Sequence, residues 1–181
     1  WVEEAEKRGL PNIRSMVEAI PALTTEKAVS MFEKFKVFTK AELESREEII
    51  YETYAKTINI EALTMIDMAG KQIIPAVVKY TKTLADTANA IKAAGGDASV
   101  QTELLADVST KLAAMQKELN KLVADEKEAS AMEDVKAQAF FYKDTIKATM
   151  DELRKPADEL EMIVDKDVWP IPTYGELMFE V

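Results

Sequence analysis

The sequence predicts an all-α protein: an antiparallel bundle of three long, kinked helices, preceded by short helices and closed by an extended C-terminal tail. Three observations carry that reading. Apolar residues recur at intervals of three and four through most of residues 39–164. Boxes of the hydroxyl-x-x-carboxylate type, which cap helix starts, stand before two of those runs. A Gly95-Gly96 pair and a polar stretch near residue 130 supply short connections, and helices joined by short connections return antiparallel.

The organising stretch is residues 39–94. It opens on Thr39-Lys40-Ala41-Glu42, where a hydroxyl and a carboxylate can each satisfy an orphan N–H of the first turn, with Phe38 and Leu43 flanking as a staple. Ile50, Tyr54, Ile58, Ala62, Met65, Ala69, Ile73, Val77, Leu84, Ala88 and Ile91 then form one stripe. Gly95 and Gly96 end it. Roughly 55 helical residues at 1.5 Å each span about 80 Å, and so long an apolar stripe needs a cover. Pro75 is expected to bend this helix without ending it, because Ile73, Ile74, Val77 and Val78 keep the stripe continuous across the proline.

Before it, residues 2–8 read as a helical piece broken by Gly9-Leu10-Pro11. Ser15, with Glu18 three residues on, caps a short helix that Pro21 limits. Thr24 or Thr25 caps another, ending near Phe35, whose Ala28, Met31, Phe32 and Phe35 share a face. That face is too apolar for so short a segment. Exposed apolar surface is therefore expected around Ile13, Ile20, Phe32 and Phe35.

After Gly96, Asp97 or Ser99 caps a helix with Val100, Leu104, Val108, Leu112, Met115, Leu119 and Leu122 on its seam. A tight reversal is expected within residues 125–130, beside residues 62–65, followed by a cap at Ser130-Ala131-Met132-Glu133. The last long helix carries Val135, Ala139, Tyr142, Ile146, Met150, Leu153, Ala157, Leu160 and Val164, with a kink at Pro156. Residues 165–181 read as non-helical. Trp169, Tyr174 and Phe179 among Pro170 and Pro172 are expected to lie against protein, covering the bundle or docking on another subunit.

Composition excludes several functions. Asp plus Glu number 33 against 23 Lys plus Arg, interspersed, so no clustered positive face offers itself to nucleic acid or anionic membrane. No apolar run approaches the roughly 18 residues a spanning helix needs, and no signal peptide is evident. Cysteine and histidine are both absent. That removes disulfides, thiolate nucleophiles, zinc–thiolate sites and every imidazole base or ligand. No glycine-rich loop cradles phosphate. The expectation is no catalytic, cofactor-binding or metal-binding residue in this chain. Trp1 opens it within what reads as helix, as though cut from something longer.

Three runs carry a family resemblance: residues 56–69 (KTINIEALTMIDMA), 74–77 (IPAV) and 169–179 (WPIPTYGELMF). Together they resemble the C-terminal region of type III glutamine synthetase. Leu10-Pro11 and residues 18–23 (EAIPAL) resemble the way glutamine synthetases close their catalytic domain. The resemblance implies residues 1–40 as the end of a ligase catalytic domain, 41–164 as a helical extension and 165–181 as an extended tail. It implies a cytoplasmic parent enzyme that joins ammonia to glutamate using ATP and Mg2+ and assembles as stacked rings. The family's metal-binding carboxylates and histidine, phosphate-contacting arginines and glutamate-binding loop have no counterpart here. Expected partners are the upstream catalytic domain and other subunits, with Phe32, Phe35, Trp169, Tyr174 and Phe179 as candidate interface residues. The alternative is a free-standing helical module for protein–protein interaction or spacing.

Overall fold

A computed structural model describes residues 1–179; Glu180 and Val181, the last two residues assigned to the tail, lie outside the described residues. Among the described residues regular structure is helical throughout. The elements are α1 (Val2–Lys7), α2 (Met16–Ala19), a 3-10 turn (Ile20–Thr24), α3 (Glu26–Lys34), α4 (Lys40–Met68), a π turn (Ala69–Ile73) and α5 (Ile74–Ala93). There follow α6 (Ser99–Ser130), α7 (Val135–Phe141), a second π turn (Tyr142–Ile146), α8 (Lys147–Glu161) and α9 (Tyr174–Phe179). Packing divides the chain into two compact units: Trp1–Asn59 with Ala129–Asp144, and Ile60–Glu128 with Thr145–Val181.

The expected capping box forms at the head of α4. Thr39 N–H donates to the Glu42 carboxylate at 2.7 Å, and Glu42 N–H donates back to Thr39 Oγ1 at 3.4 Å. The Thr39 N–H, with the Thr39 hydroxyl donating to the same oxygen, holds the Glu42 carboxyl below its ordinary range. The helical path then runs through Pro75 without a loop, as the unbroken stripe requires. Immediately upstream the π turn inserts an extra residue, and Ile74 N–H reaches the Ala69 carbonyl, five residues back. A wider turn there relaxes the crowding that a proline ring imposes on the preceding turn. α5 stops as expected: Gly95 adopts φ +76°, Gly95 N–H donates to Lys92 O, and Gly96 N–H donates to Ile91 O. This is the Schellman closure.

In the second unit the stripe residues Ala62, Ala69, Ile73, Val77, Leu84 and Ala88 are buried. Val108, Met115, Leu119 and Leu122 of α6 and Leu153 and Leu160 of α8 are buried as well. α6 and α8 run antiparallel: Thr149 Oγ1 donates to Asp125 at 2.7 Å, while Lys111 pairs with Glu159 at 3.5 Å. α8 continues past the buried Pro156 to Glu161. Val100, expected on the seam, is 70% exposed.

In the first unit Val17 and Ile20 are buried against Tyr51 of α4 and Ala139 of α7. Glu18 caps α2 by accepting from Arg14 N–H and pairs with Lys143 at 2.7 Å. Burial, with the Glu47 carboxylate adding to it, pushes the Tyr51 phenol up to about 12.

Two expectations need correction. The reversal does not fall within residues 125–130: α6 runs to Ser130, and Asp134 caps α7 by accepting from Ala137 N–H at 2.6 Å. The reason is that residues 125–130 contain no Gly or Pro to stop a helix, and extending it buries Ala129, whose carbonyl accepts from Gln138 Nε2. The turn accordingly falls within the first unit, with Ala129 and Gln138. The tail is not extended throughout either. Thr173 and Glu176 form a reciprocal capping box, at 2.9 and 3.2 Å, that starts α9. A T-x-x-E signal stands in the sequence; the two prolines preceding it obscure it.

Candidate functional site

The candidate interface residues fall in both units. Phe32 and Phe35 sit on α3 of the first, a helix that buries none of its side chains. Phe32 is half-buried and packs at 5.6 Å against Phe38 with the rings tilted by 58°, while Phe35 is 69% exposed. Met16, Met31, Ile13 and Val37 are exposed nearby in sequence. Ile20, expected among the exposed residues, is instead buried, because the 3-10 turn at Pro21 aims it into the cluster with Val17 and Tyr51. Met16, Ile20, Leu23, Phe32 and Ile50 line a shallow apolar depression of about 440 Å³.

α3 also ends oddly. Lys36 adopts φ +54° at the position a Schellman closure usually gives to glycine, with Lys36 N–H on Glu33 O and Val37 N–H on Phe32 O. A side chain there costs about 1 kcal/mol.

In the second unit Trp169 is buried and its backbone N–H donates to Asp165 O at 3.0 Å. Tyr174 is clasped to α8 at several points. Its backbone N–H donates to Glu161 at 2.9 Å, its hydroxyl donates to Asp158 at 3.2 Å, and the Arg154 guanidinium donates to that hydroxyl. The guanidinium also lies 5.5 Å from the ring centroid, and the Tyr174 and Asp158 contacts push its pKa upward. Lys166 pairs with Glu176 at 2.8 Å and, together with the Thr173 bonds, holds that carboxyl at about 2. Beyond this clasp Leu177, Met178 and Phe179 project from α9 into solvent. Sequence reasoning named Tyr174 but not Arg154, Asp158, Glu161 or Lys166. On a helix face such charges read as ordinary solvated residues.

The tail also borders a cavity of about 530 Å³, into which Met65, Met68, Met115 and Met150 face together with Ile171 and Tyr174. Among the described residues no group of three or more Asp or Glu is placed to hold a metal ion, and no helix is long and apolar enough to cross a membrane.

A family model described as the glutamine synthetase C-terminal domain matches residues 1–92. The chain belongs to that family. The match ends within α5, ahead of the Gly95 closure. Relatives of the glutamine synthetase group align with the rest as well. The chain is 38% identical to a glutamine synthetase of Butyrivibrio fibrisolvens over 183 aligned residues, covering 100% of this chain and 26% of that protein. It is 31% identical to a type-3 glutamine synthetase of Dictyostelium discoideum and 29% identical to a glutamine synthetase of Bacteroides fragilis strain YCH46, covering 99% of this chain and 25% of each. It thus spans about a quarter of the length of these relatives, at their C-terminal end.

Proposed function

We propose that the chain is the non-catalytic C-terminal part of a cytoplasmic enzyme that condenses glutamate with ammonia, using ATP and Mg2+. In this reading residues 1–40 complete the ligase domain, 41–164 form a helical extension and 165–181 a tail. The observation that carries it is the apolar face of α2 and α3, around Met16, Met31 and Phe35, which lies inside the region matching the family model and stays exposed in the chain by itself. Exposed apolar area of this kind marks a surface built to be covered. The upstream catalytic body is its occupant, and the chain serves assembly and support, not chemistry. Phe32 and Phe35 are the contacts to that body. Trp169 anchors the tail, Tyr174 orients it, and Phe179 reaches to a neighbouring subunit of a homo-oligomer.

A chimera tests this. The matching C-terminal quarter of the Butyrivibrio fibrisolvens protein is replaced by this chain, and glutamine formation is assayed. The chimera is expected to be active, the same enzyme ending before the join inactive, and Phe35→Ser in the chimera to lower activity while the chain alone melts unchanged. The chain alone, given glutamate, ammonia and Mg-ATP, is expected to form no glutamine. A chimera indifferent to Phe35→Ser, together with a chain that meets no catalytic body, would favour the free-standing interaction module instead. Deleting residues 168–181 separates the tail's roles: a smaller oligomer means a clasp between subunits, whereas a lower melting temperature with assembly intact means a cover.

A further inference from the structure

The methionine-lined cavity of the second unit is not used by the function proposed above. Its volume, about 530 Å³, falls in the range of roughly 300–1,000 Å³ typical of small-molecule sites. Its floor is soft and apolar. Met65, Met68, Met115 and Met150 converge from α4, α6 and α8, and unbranched thioether side chains adapt their shape to an occupant. Ala69 and Ile73 of the first π turn also face it, and such turns recur where helices open to form sites. The tail supplies a side wall, Ile171 and Tyr174, and the contacts of Tyr174 with α8 are exposed polar ones that can yield.

The ionisable lining decides the occupant. Two carboxylates, Glu61 and Asp158, stand against one guanidinium, Arg154. Arg154 is paired with Asp158 at 3.3 Å, whereas Glu61 has no ion-pair or hydrogen-bond partner among the described residues. The cavity therefore offers an apolar body one uncompensated negative charge at its rim, with the π face of Tyr174 opposing no cation except Arg154. We propose that this cavity binds a small organic cation, an amine carrying an aryl or alkyl body, with its ammonium on Glu61 and its body among the four methionines.

Three probes with one apolar body test it: phenylbutylamine, butylbenzene and phenylbutanoate. The full chain is labelled with 13C-methyl methionine, giving nine signals for nine methionines, assigned by Met→Leu replacement. Phenylbutylamine is expected to shift the Met65, Met68, Met115 and Met150 signals saturably and to bind more tightly than butylbenzene, with phenylbutanoate weakest. Glu61→Gln, at an exposed position, should weaken the amine about threefold, the scale of one exposed ion pair, and leave butylbenzene unchanged. Thr64→Trp, which fills the cavity from its exposed rim, should abolish binding of all three probes. Unmoved methionine signals, phenylbutanoate binding as tightly as the amine, or indifference to Glu61→Gln would each overturn the proposal. So would methionine signals that shift with protein concentration alone, because the cavity's occupant would then be a second copy of the chain.

Discussion

The leading segment and the tail each combine an anchor with a projecting apolar group, but they are anchored by different physics. Val17 and Ile20 hold the leading segment by burial beside Tyr51, with the half-buried Glu18–Lys143 pair beside them, and Met31 and Phe35 project. Among the described residues of the tail only Trp169 is buried. Beyond it, Arg154, Asp158, Glu161 and Lys166 clasp Tyr174 and Glu176 through contacts open to water. Apolar burial involves no charge to be screened or titrated, whereas exposed charge contacts are screened and titrate. The leading segment is thus placed permanently and the end of the tail conditionally, which suits a docking face at one terminus and an adjustable contact at the other.

The largest expected effects test the anchors. Trp169→Ala and Ile20→Ala should each cost about 3 kcal/mol in urea unfolding, the usual loss for removing a buried large side chain. Phe35→Ala, at a site 69% exposed, should stay within about 0.5 kcal/mol. A Phe35→Ala loss equal to that of Ile20→Ala would erase the distinction between anchor and projecting face.

Next come two hydroxyl deletions that remove the same kind of bond at different depths. Thr149→Val strips a buried donor from the half-buried Asp125 carboxylate and should cost about 1.5 kcal/mol, the scale of a hydrogen bond to a charged group that water replaces only in part. Tyr174→Phe loses the bonds to Asp158 and Arg154, but water takes their place, so its cost should be below about 0.5 kcal/mol. Comparable losses would mean the tail is held as rigidly as the bundle.

Lys36→Gly should act with the opposite sign. The substituted chain should gain about 1 kcal/mol, since glycine adopts φ +54° without the penalty a side chain meets there. Thermal unfolding of the chain measures it, and no gain would mean that the lysine stem contributes packing that offsets the strain.

The long helices were legible because their signal is redundant: a stripe such as Ala62, Ala69, Ile73, Val77 repeats its message every turn, and the capping box at Thr39 agrees with it. The reversal after α6 was misplaced because residues 125–130 are polar without being helix-breaking. Only the burial of Ala129, a tertiary fact, shows that the helix continues. The tail helix went unread although Thr173 and Glu176 announce it, since Pro170 and Pro172 argue for extended chain just before it. Least legible was the clasp. Nothing local tells Arg154 and Asp158, twenty and sixteen residues before Tyr174, from the other charges on the outside of a helix.

The smallest expected effect, and the most direct probe of conditional anchoring, is the acid behaviour of the tail. The Lys166 ammonium and the Thr173 bonds lower the Glu176 carboxyl from its ordinary value of 4.5 to about 2. A carboxyl depressed in the folded state favours that state fully above its unfolded value and loses the contribution as pH falls through the folded one. Docking of α9 should therefore be constant above about pH 4.5 and weaken progressively toward pH 2. In a Trp1→Phe background, Trp169 fluorescence should report a change in that window before the helical circular dichroism signal falls. Glu176→Gln should remove this early change, whereas Glu42→Gln, at a capping box in the first unit, should leave it in place. If fluorescence and circular dichroism instead fall together in the parent and in Glu176→Gln, the end of the tail is as firmly fixed as the leading segment, and the contrast between the two anchors is lost.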